Sequence, residues 1–176
     1  MYKKKAVQFY AKALELHKER NLAAAEKAYR KSIKADGTLA EAYNNLGDVL
    51  SDCGRLEEAE TSYRRFVQLR PNFAGAHFNH AHVLEEMGKL QDAIVSYDKA
   101  IELDPSFVLG HLNRGNVLRN FGKPQEALAS YDKALGIQPD FAVGHSNRGN
   151  VLRRILSIKE CYTIKPQFLL SNTIHL

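Results

Sequence analysis

Apolar residues recur along this chain at helical spacing, and the pattern itself repeats every 34 residues. Within residues 40–73, Tyr43 and Leu50 fall two turns apart on one face of a first predicted helix. Ala59 and Tyr63 fall one turn apart on a second predicted helix. Each period therefore predicts two amphipathic helices joined by a short turn.

Small residues, tyrosines and prolines recur along the chain at this same spacing. The recurring positions are Gly47, Ala81, Gly115 and Gly149; Ala25, Ala59, Ala93 and Ala127; Tyr29, Tyr63, Tyr97 and Tyr131; and Pro71, Pro105 and Pro139. The prolines end each second helix, and turn glycines end each first helix, at Gly54, Gly88 and Gly122. A fixed period of this length predicts an array of helix pairs.

The small residues also predict where the two helices of a pair cross. Without bulky side chains at Gly47 and Ala59, the two axes can approach to roughly 8–10 Å. Tyr63 is then expected to fill the wider space toward the turn. A large side chain in place of Gly115 or Ala127 is expected to open the pair.

These residues resemble the tetratricopeptide repeat family, in which small residues, Tyr, Ala and Pro recur at this period. The resemblance covers units 6–39, 40–73, 74–107 and 108–141 and a half unit, 142–154. Arg20 replaces the turn glycine of the first unit, and Gly37 stands where proline is expected. The resemblance implies an all-α, right-handed superhelical solenoid of antiparallel helix pairs with about four and a half repeats. It also implies a scaffold that binds a protein or peptide in its concave groove.

One polar face of each first helix is the candidate peptide-binding groove, because residues i, i+4, i+7 and i+11 share a face. Its residues are Asn45, Asp48, Asp52, Asn79, His82, Glu86, Asn113, Asn116, Asn120, Asn147, Asn150 and Arg154. Leu109 and Val143 are the apolar members, at the helix starts.

An asparagine ladder runs along this face, at Asn45, Asn79, Asn113 and Asn147. An amide both donates and accepts hydrogen bonds, so it can pair with any peptide backbone. A similar ladder lines the substrate-binding repeats of O-linked N-acetylglucosamine transferases, which these units resemble. The alternative is that these amides bond a neighbouring turn, and the sequence leaves both interpretations open.

Charge along the face changes sign. The acidic residues lie toward the N-terminal half, at Asp48, Asp52, Glu85 and Glu86. The basic residues lie toward the C-terminal half, at Arg119, Arg153 and Arg154. Two interpretations stay open: the gradient orients a bound segment, with its basic end toward the first units, or these exposed charges are only solvated.

Composition narrows the function further. The net charge is +5, but the basic residues are dispersed, which argues against nucleic acid as a partner. No apolar run reaches the ~18–20 residues of a membrane span. Cys53 and Cys161 are too few for a disulfide framework and favour reduced thiols in the cytoplasm. No catalytic, cofactor or metal motif is present, and His77, His80 and His82 are expected to pack rather than to bind an ion.

The repeat pattern fails after Arg154. Residues 142–154 copy a first helix, whereas 155–176 form a divergent tail with Pro166 where a second helix should lie. Three interpretations stay open. The tail caps the array, it drives homo-oligomerisation through the C-terminal end, or the chain is a truncated piece of a longer protein. In the last case, the repeats could be the recognition arm of a glycosyltransferase-like enzyme whose catalytic domain is absent.

Overall fold

The computed structural model describes the backbone of residues 2–170 and the side chains of residues 3–157. Within these residues the chain forms α-helices joined by short turns, with no strand. The helices are α1 (Tyr2–Lys18), α2 (Leu22–Ala35), α3 (Ala40–Asp52), α4 (Leu56–Leu69), α5 (Ala74–Glu86), α6 (Leu90–Leu103), α7 (Val108–Asn120), α8 (Pro124–Ile137) and α9 (Ala142–Leu170). The predicted all-α fold of paired helices is confirmed.

The turn inside each repeat is made by a residue with left-handed backbone. Gly54, Gly88 and Gly122 have φ angles of 72°, 72° and 84°. Arg20, which replaces the glycine in the first repeat, adopts the same conformation with φ of 58°. A side chain disfavours this conformation by roughly 1–2 kcal/mol, so the first turn is made against a local preference.

The helices group into two compact units, Met1–Pro105 (unit 1) and Ser106–Leu176 (unit 2). In unit 1 the core is formed by aliphatic residues and aromatic rings from successive pairs, among them Tyr29, Leu46, Val49, Leu50, Ala59, Tyr63 and Val83. In unit 2 the buried residues include Val117, Leu118, Ala127, Tyr131, Ala134 and Val151.

The close crossing of the paired helices places a tyrosine ring directly against the glycine of the first helix, whereas the sequence assigned that ring to the wider space toward the turn. A β-carbon built on Gly47 would lie 2.7 Å from Cε1 of Tyr63, and one built on Gly115 would lie 2.5 Å from Cε1 of Tyr131. Both distances are shorter than van der Waals contact. The tyrosine rings therefore occupy the space that a side chain on the first helix would need.

Helix α9 is longer than the sequence predicted. It continues past Arg154 to Leu170 and includes Pro166, and residues 155–165 contain neither glycine nor proline to end it earlier. The side chains beyond Ser157 and the backbone beyond Leu170 lie outside the described residues. The three interpretations of the tail therefore stay predictions.

Candidate peptide-binding face

In unit 1, polar side chains from three first helices form a hydrogen-bonded chain. Asn79 Nδ2 on α5 donates to Asn44 Oδ1 on α3 at 2.7 Å. Asn44 Nδ2 donates to Asn45 Oδ1 at 3.0 Å, and Asn45 Nδ2 donates to the hydroxyl of Tyr10 on α1 at 3.0 Å. We call Tyr10, Asn44, Asn45 and Asn79 the amide network. All four side chains are half-buried, and together they link α1, α3 and α5.

The sequence identified only half of the amide network. Asn45 and Asn79 belong to the predicted ladder, whereas Asn44 and Tyr10 do not. Asn44 precedes Asn45 directly, and Tyr10 belongs to the first repeat, for which the sequence pattern gave no face. The exact repeat of asparagine at 34 residues was the signal that pointed to this part of the molecule.

Unit 2 carries a similar contact. Asn147 Nδ2 on α9 donates to Asn116 Oδ1 on α7 at 2.9 Å, and the Tyr131 hydroxyl donates to the same oxygen at 2.9 Å. Asn113 lies half-buried on α7. Asn45, Asn79 and Asn147 thus each bond a side chain of the preceding first helix, rather than a turn. Since an amide has two N–H donors and two acceptor positions, these bonds use part of its capacity.

Asp48 lies beside the amide network and is bound by a tyrosine from the second helix. The Tyr63 hydroxyl donates to Asp48 Oδ1 at 2.6 Å. Burial raises the pKa of the Asp48 carboxyl, and the hydrogen bond from Tyr63 only partly opposes this rise. Burial and the nearby Asp48 charge raise the pKa of Tyr63 as well, so this hydroxyl stays a donor.

We expect Asp48→Asn to stabilise the protein at pH 7, because it removes a buried charge and keeps an acceptor for the Tyr63 hydroxyl. Asn116, at the equivalent repeat position, already accepts the same tyrosine hydrogen bond without a charge. A carboxyl whose pKa is raised by folding stabilises the fold below its ordinary pKa and loses that contribution as the pH rises. The gain should therefore be present at pH 7 and vanish below about pH 4.

Urea denaturation of wild type and Asp48→Asn at several pH values measures this gain. A variant less stable than wild type at pH 7 would show that the carboxylate itself is required in the fold.

The remaining predicted residues of unit 1 surround a cavity of about 340 Å³ between α3 and α5. Its lining comprises Asp48, Ser51, Asp52, Tyr63, Phe78, Asn79, His82 and Glu86. Arg20 pairs with Asp52 at 2.8 Å, and Ser51 Oγ donates to Glu86 Oε2 at 3.1 Å. The structure thus brings Asp48, Asp52, Asn79, His82 and Glu86 to one polar, mainly acidic surface.

Two of the predicted residues of unit 2 line a cavity together with a further arginine. Arg119, Asn150 and Arg154 line a cavity of about 360 Å³ with apolar neighbours from α8 and α9. Asn120 is exposed at the end of α7 and accepts a hydrogen bond from Arg119 Nε at 3.4 Å. The lining of the unit 1 cavity thus includes carboxylates and that of the unit 2 cavity includes guanidinium groups. That this difference orients a bound segment stays a prediction.

The histidines contact the backbone and polar side chains. His77 Nε2 donates to the carbonyl of Pro71 at 2.8 Å, and His145 Nε2 donates to that of Pro139 at 2.7 Å. His80 lies between Glu60 and Ser96, at 3.3 Å from each, and burial lowers its pKa. Across the side chains described here, no three His, Cys, Asp or Glu residues converge as a metal site.

Solved structures with similar folds include several of MamA. A crystal structure of MamA is 25% identical, covers 80% of this chain and 82% of its own, and has a TM-score of 0.76. A second MamA crystal structure is 22% identical and covers 98% and 97%, with a TM-score of 0.80. MamA 41-end from Desulfovibrio magneticus RS-1 is 16% identical and covers 96% and 97%, also with a TM-score of 0.80. Among proteins with curated functions, none matches this chain.

Sequence models of one family match three parts of the chain. The tetratricopeptide repeat models match residues 40–73 and 108–141, and a further TPR repeat model matches residues 81–122. The resemblance to O-linked N-acetylglucosamine transferase repeats stays a prediction. None of the helices in the described residues combines the length and hydrophobicity that crossing a membrane requires. The matched repeats and the paired-helix fold show that this chain belongs to the tetratricopeptide repeat family, whose all-α solenoids serve as protein-interaction scaffolds.

Proposed function

We propose that this chain binds an extended polypeptide segment along the polar face of its first helices. The amide network is the observation that carries the proposal. It places amides from neighbouring helices on one accessible surface and holds each in a fixed orientation. Because the side chains are already ordered, binding a peptide there costs little further conformational entropy.

The spacing of these amides suits an extended chain. Neighbouring packed helices lie roughly 8–10 Å apart, and an extended peptide advances about 3.3 Å per residue. One amide therefore meets about every third residue of the segment. Within the described contacts Asn79 uses one of its two N–H donors, so it retains a donor and its oxygen for a peptide backbone.

Charge adds a preference to this sequence-independent contact. The unit 1 surface carries the carboxylates of Asp48, Asp52 and Glu86, whereas the unit 2 surface carries Arg119 and Arg154. We expect unit 1 to favour segments that bear lysine or arginine, and unit 2 to favour acidic ones, mainly through faster association.

Selection from a displayed random peptide library tests the proposal, because such a selection finds binding segments even when the natural partner has not been identified. Peptides that bind wild type are then measured against Asn45→Ala/Asn79→Ala. Losing two hydrogen bonds of about 1 kcal/mol each should weaken binding about 30-fold.

The matched control is Gln91→Ala, which removes an exposed amide from the second helix α6 and should leave the affinity unchanged. Circular dichroism verifies that both variants keep the wild-type helix content. Peptides that bind the double variant as tightly as wild type would contradict the proposal.

A further inference from the structure

A second cavity of unit 1, of about 440 Å³, lies directly beside the amide network. Its lining comprises Tyr10, Glu41, Asn44, Asn45, Phe66, Arg70 and Phe73, and we call it the aromatic cavity. We propose that the aromatic cavity binds one large apolar side chain, preferably aromatic, of the bound segment. This inference rests on the proposed function and assigns a specificity site to it.

Two phenylalanine rings make the cavity receptive to an apolar group. Phe66 is 5% exposed, whereas Phe73 is 55% exposed. Their ring centroids lie 6.1 Å apart with the planes inclined by 65°, which is an edge-to-face contact. Phe66 thus fixes the Phe73 ring, whose outer surface remains in contact with water. Covering that surface with another apolar side chain is favourable, because apolar area leaves water.

Gly75 explains why Phe73 can lie there. A β-carbon built on Gly75 would be 2.8 Å from Cε1 of Phe73. The ring therefore covers the start of α5 and occupies the space that a side chain at position 75 would need. The equivalent positions in later repeats carry side chains, Leu109 and Val143, both of them exposed.

The charged residues of the cavity neutralise each other. Arg70 and Glu41 form an ion pair at 2.6 Å, so neither charge is left for a ligand to balance. A lysine, arginine or glutamate entering the cavity would lose hydration without gaining an opposite charge. A neutral apolar side chain has no such cost, and an aromatic ring can also stack against Phe73 and Tyr10.

The position of the cavity couples it to the backbone contacts. Asn44 and Asn45 belong both to the amide network and to the cavity lining. Side chains of an extended peptide point alternately to opposite sides. A backbone held at Asn45 can therefore direct a neighbouring side chain into the aromatic cavity.

A double-mutant cycle on the complete chain tests the assignment, with peptides selected from the random library as probes. We expect the selected peptides to share one large apolar residue. Replacing it with alanine should weaken binding to wild type about tenfold or more, the loss typical of a central anchor residue. The same replacement should change the affinity for Phe73→Ala by less than about threefold, because that variant already lacks a ring that lines the aromatic cavity.

Two further variants separate the cavity from general effects on folding. Phe141→Ala removes the repeat-equivalent phenylalanine of unit 2 and should leave peptide binding as in wild type. Gly75→Ala keeps Phe73 but displaces its ring, and should weaken the selected peptides as Phe73→Ala does.

The outcomes distinguish this inference from the proposed function. Peptides that require Asn45 and Asn79, share no apolar residue and bind Phe73→Ala as tightly as wild type would overturn the aromatic cavity alone. Peptides whose affinity is unchanged by all of these substitutions would overturn both the aromatic cavity and the proposed function.

Discussion

Gly115→Leu is expected to lower the free energy of unfolding by about 3 kcal/mol, the upper end of the usual cost of overpacking a core. A β-carbon at this position would lie 2.5 Å from the ring of Tyr131, which is fully buried. The ring has no open space to enter, so α7 and α8 must separate. This separation would also break the hydrogen bond from Tyr131 to Asn116.

Gly149→Leu is the matched control, because it makes the same change at the same repeat position. No atom lies within 4 Å of a β-carbon built on Gly149. Leucine is also a better helix former than glycine, so stability should stay level or rise by up to about 1 kcal/mol. Urea denaturation followed by circular dichroism compares the two variants. An equal loss in both would show that the close crossing of α7 and α8 is not what requires glycine.

Tyr63→Phe is expected to destabilise the protein by about 2 kcal/mol at pH 7, the range for a hydrogen bond to a charged group. It removes the donor that lies 2.6 Å from the largely buried Asp48 carboxylate. Tyr131→Phe removes the equivalent hydroxyl in unit 2, where Asn116 is uncharged and still accepts from Asn147. The unit 2 variant should therefore cost only about 1 kcal/mol.

The difference between the two tyrosines should disappear when Asp48 is neutral. In the Asp48→Asn background, Tyr63→Phe is expected to cost no more than Tyr131→Phe does. Urea denaturation of the single and double variants gives the coupling free energy between Tyr63 and Asp48 directly. If Tyr63→Phe costs the same in both backgrounds, the charge of Asp48 is not the cause.

Local chemistry explains what the sequence could predict. Gly54 and Pro71 constrain the backbone at and next to their own positions, so the ends of the helices could be predicted from the sequence alone. The close approach of α7 and α8 at Gly115 was also predictable, because the two helices of a pair are joined by a short turn that fixes their register. The ring of Tyr131 against Gly115 was not, since the sequence assigned that tyrosine position to the wider space toward the turn.

Contacts between repeats were less predictable, because they depend on the offset between neighbouring helices. Asn45 bonds Tyr10 and Asn79 bonds Asn44, both at a separation of 35 residues, and Asn147 bonds Asn116 at 31. None of these equals the 34-residue period, so identical repeat positions do not meet each other. The 34-residue period therefore identified the face, whereas the hydrogen-bond partners on that face could be identified only from the structure.

The aromatic cavity was missed for a related reason. Gly75 lies one turn before Asn79 on the same helical face and has no side chain. The ring that fills its space comes from Phe73, in the turn before α5. A helical face pattern counts only residues of the helix itself, so it cannot include a ring contributed by the preceding turn.

Side-chain amide resonances measured by NMR, with and without a selected peptide, show which helices the bound segment contacts. If the segment lies on the first helices, the NH₂ signals of Asn45 and Asn79 should shift on binding. Those of Gln68 and Gln91, on the second helices α4 and α6, should stay in place. Shifts confined to Gln68 and Gln91, with Asn45 and Asn79 unchanged, would contradict binding along the first helices.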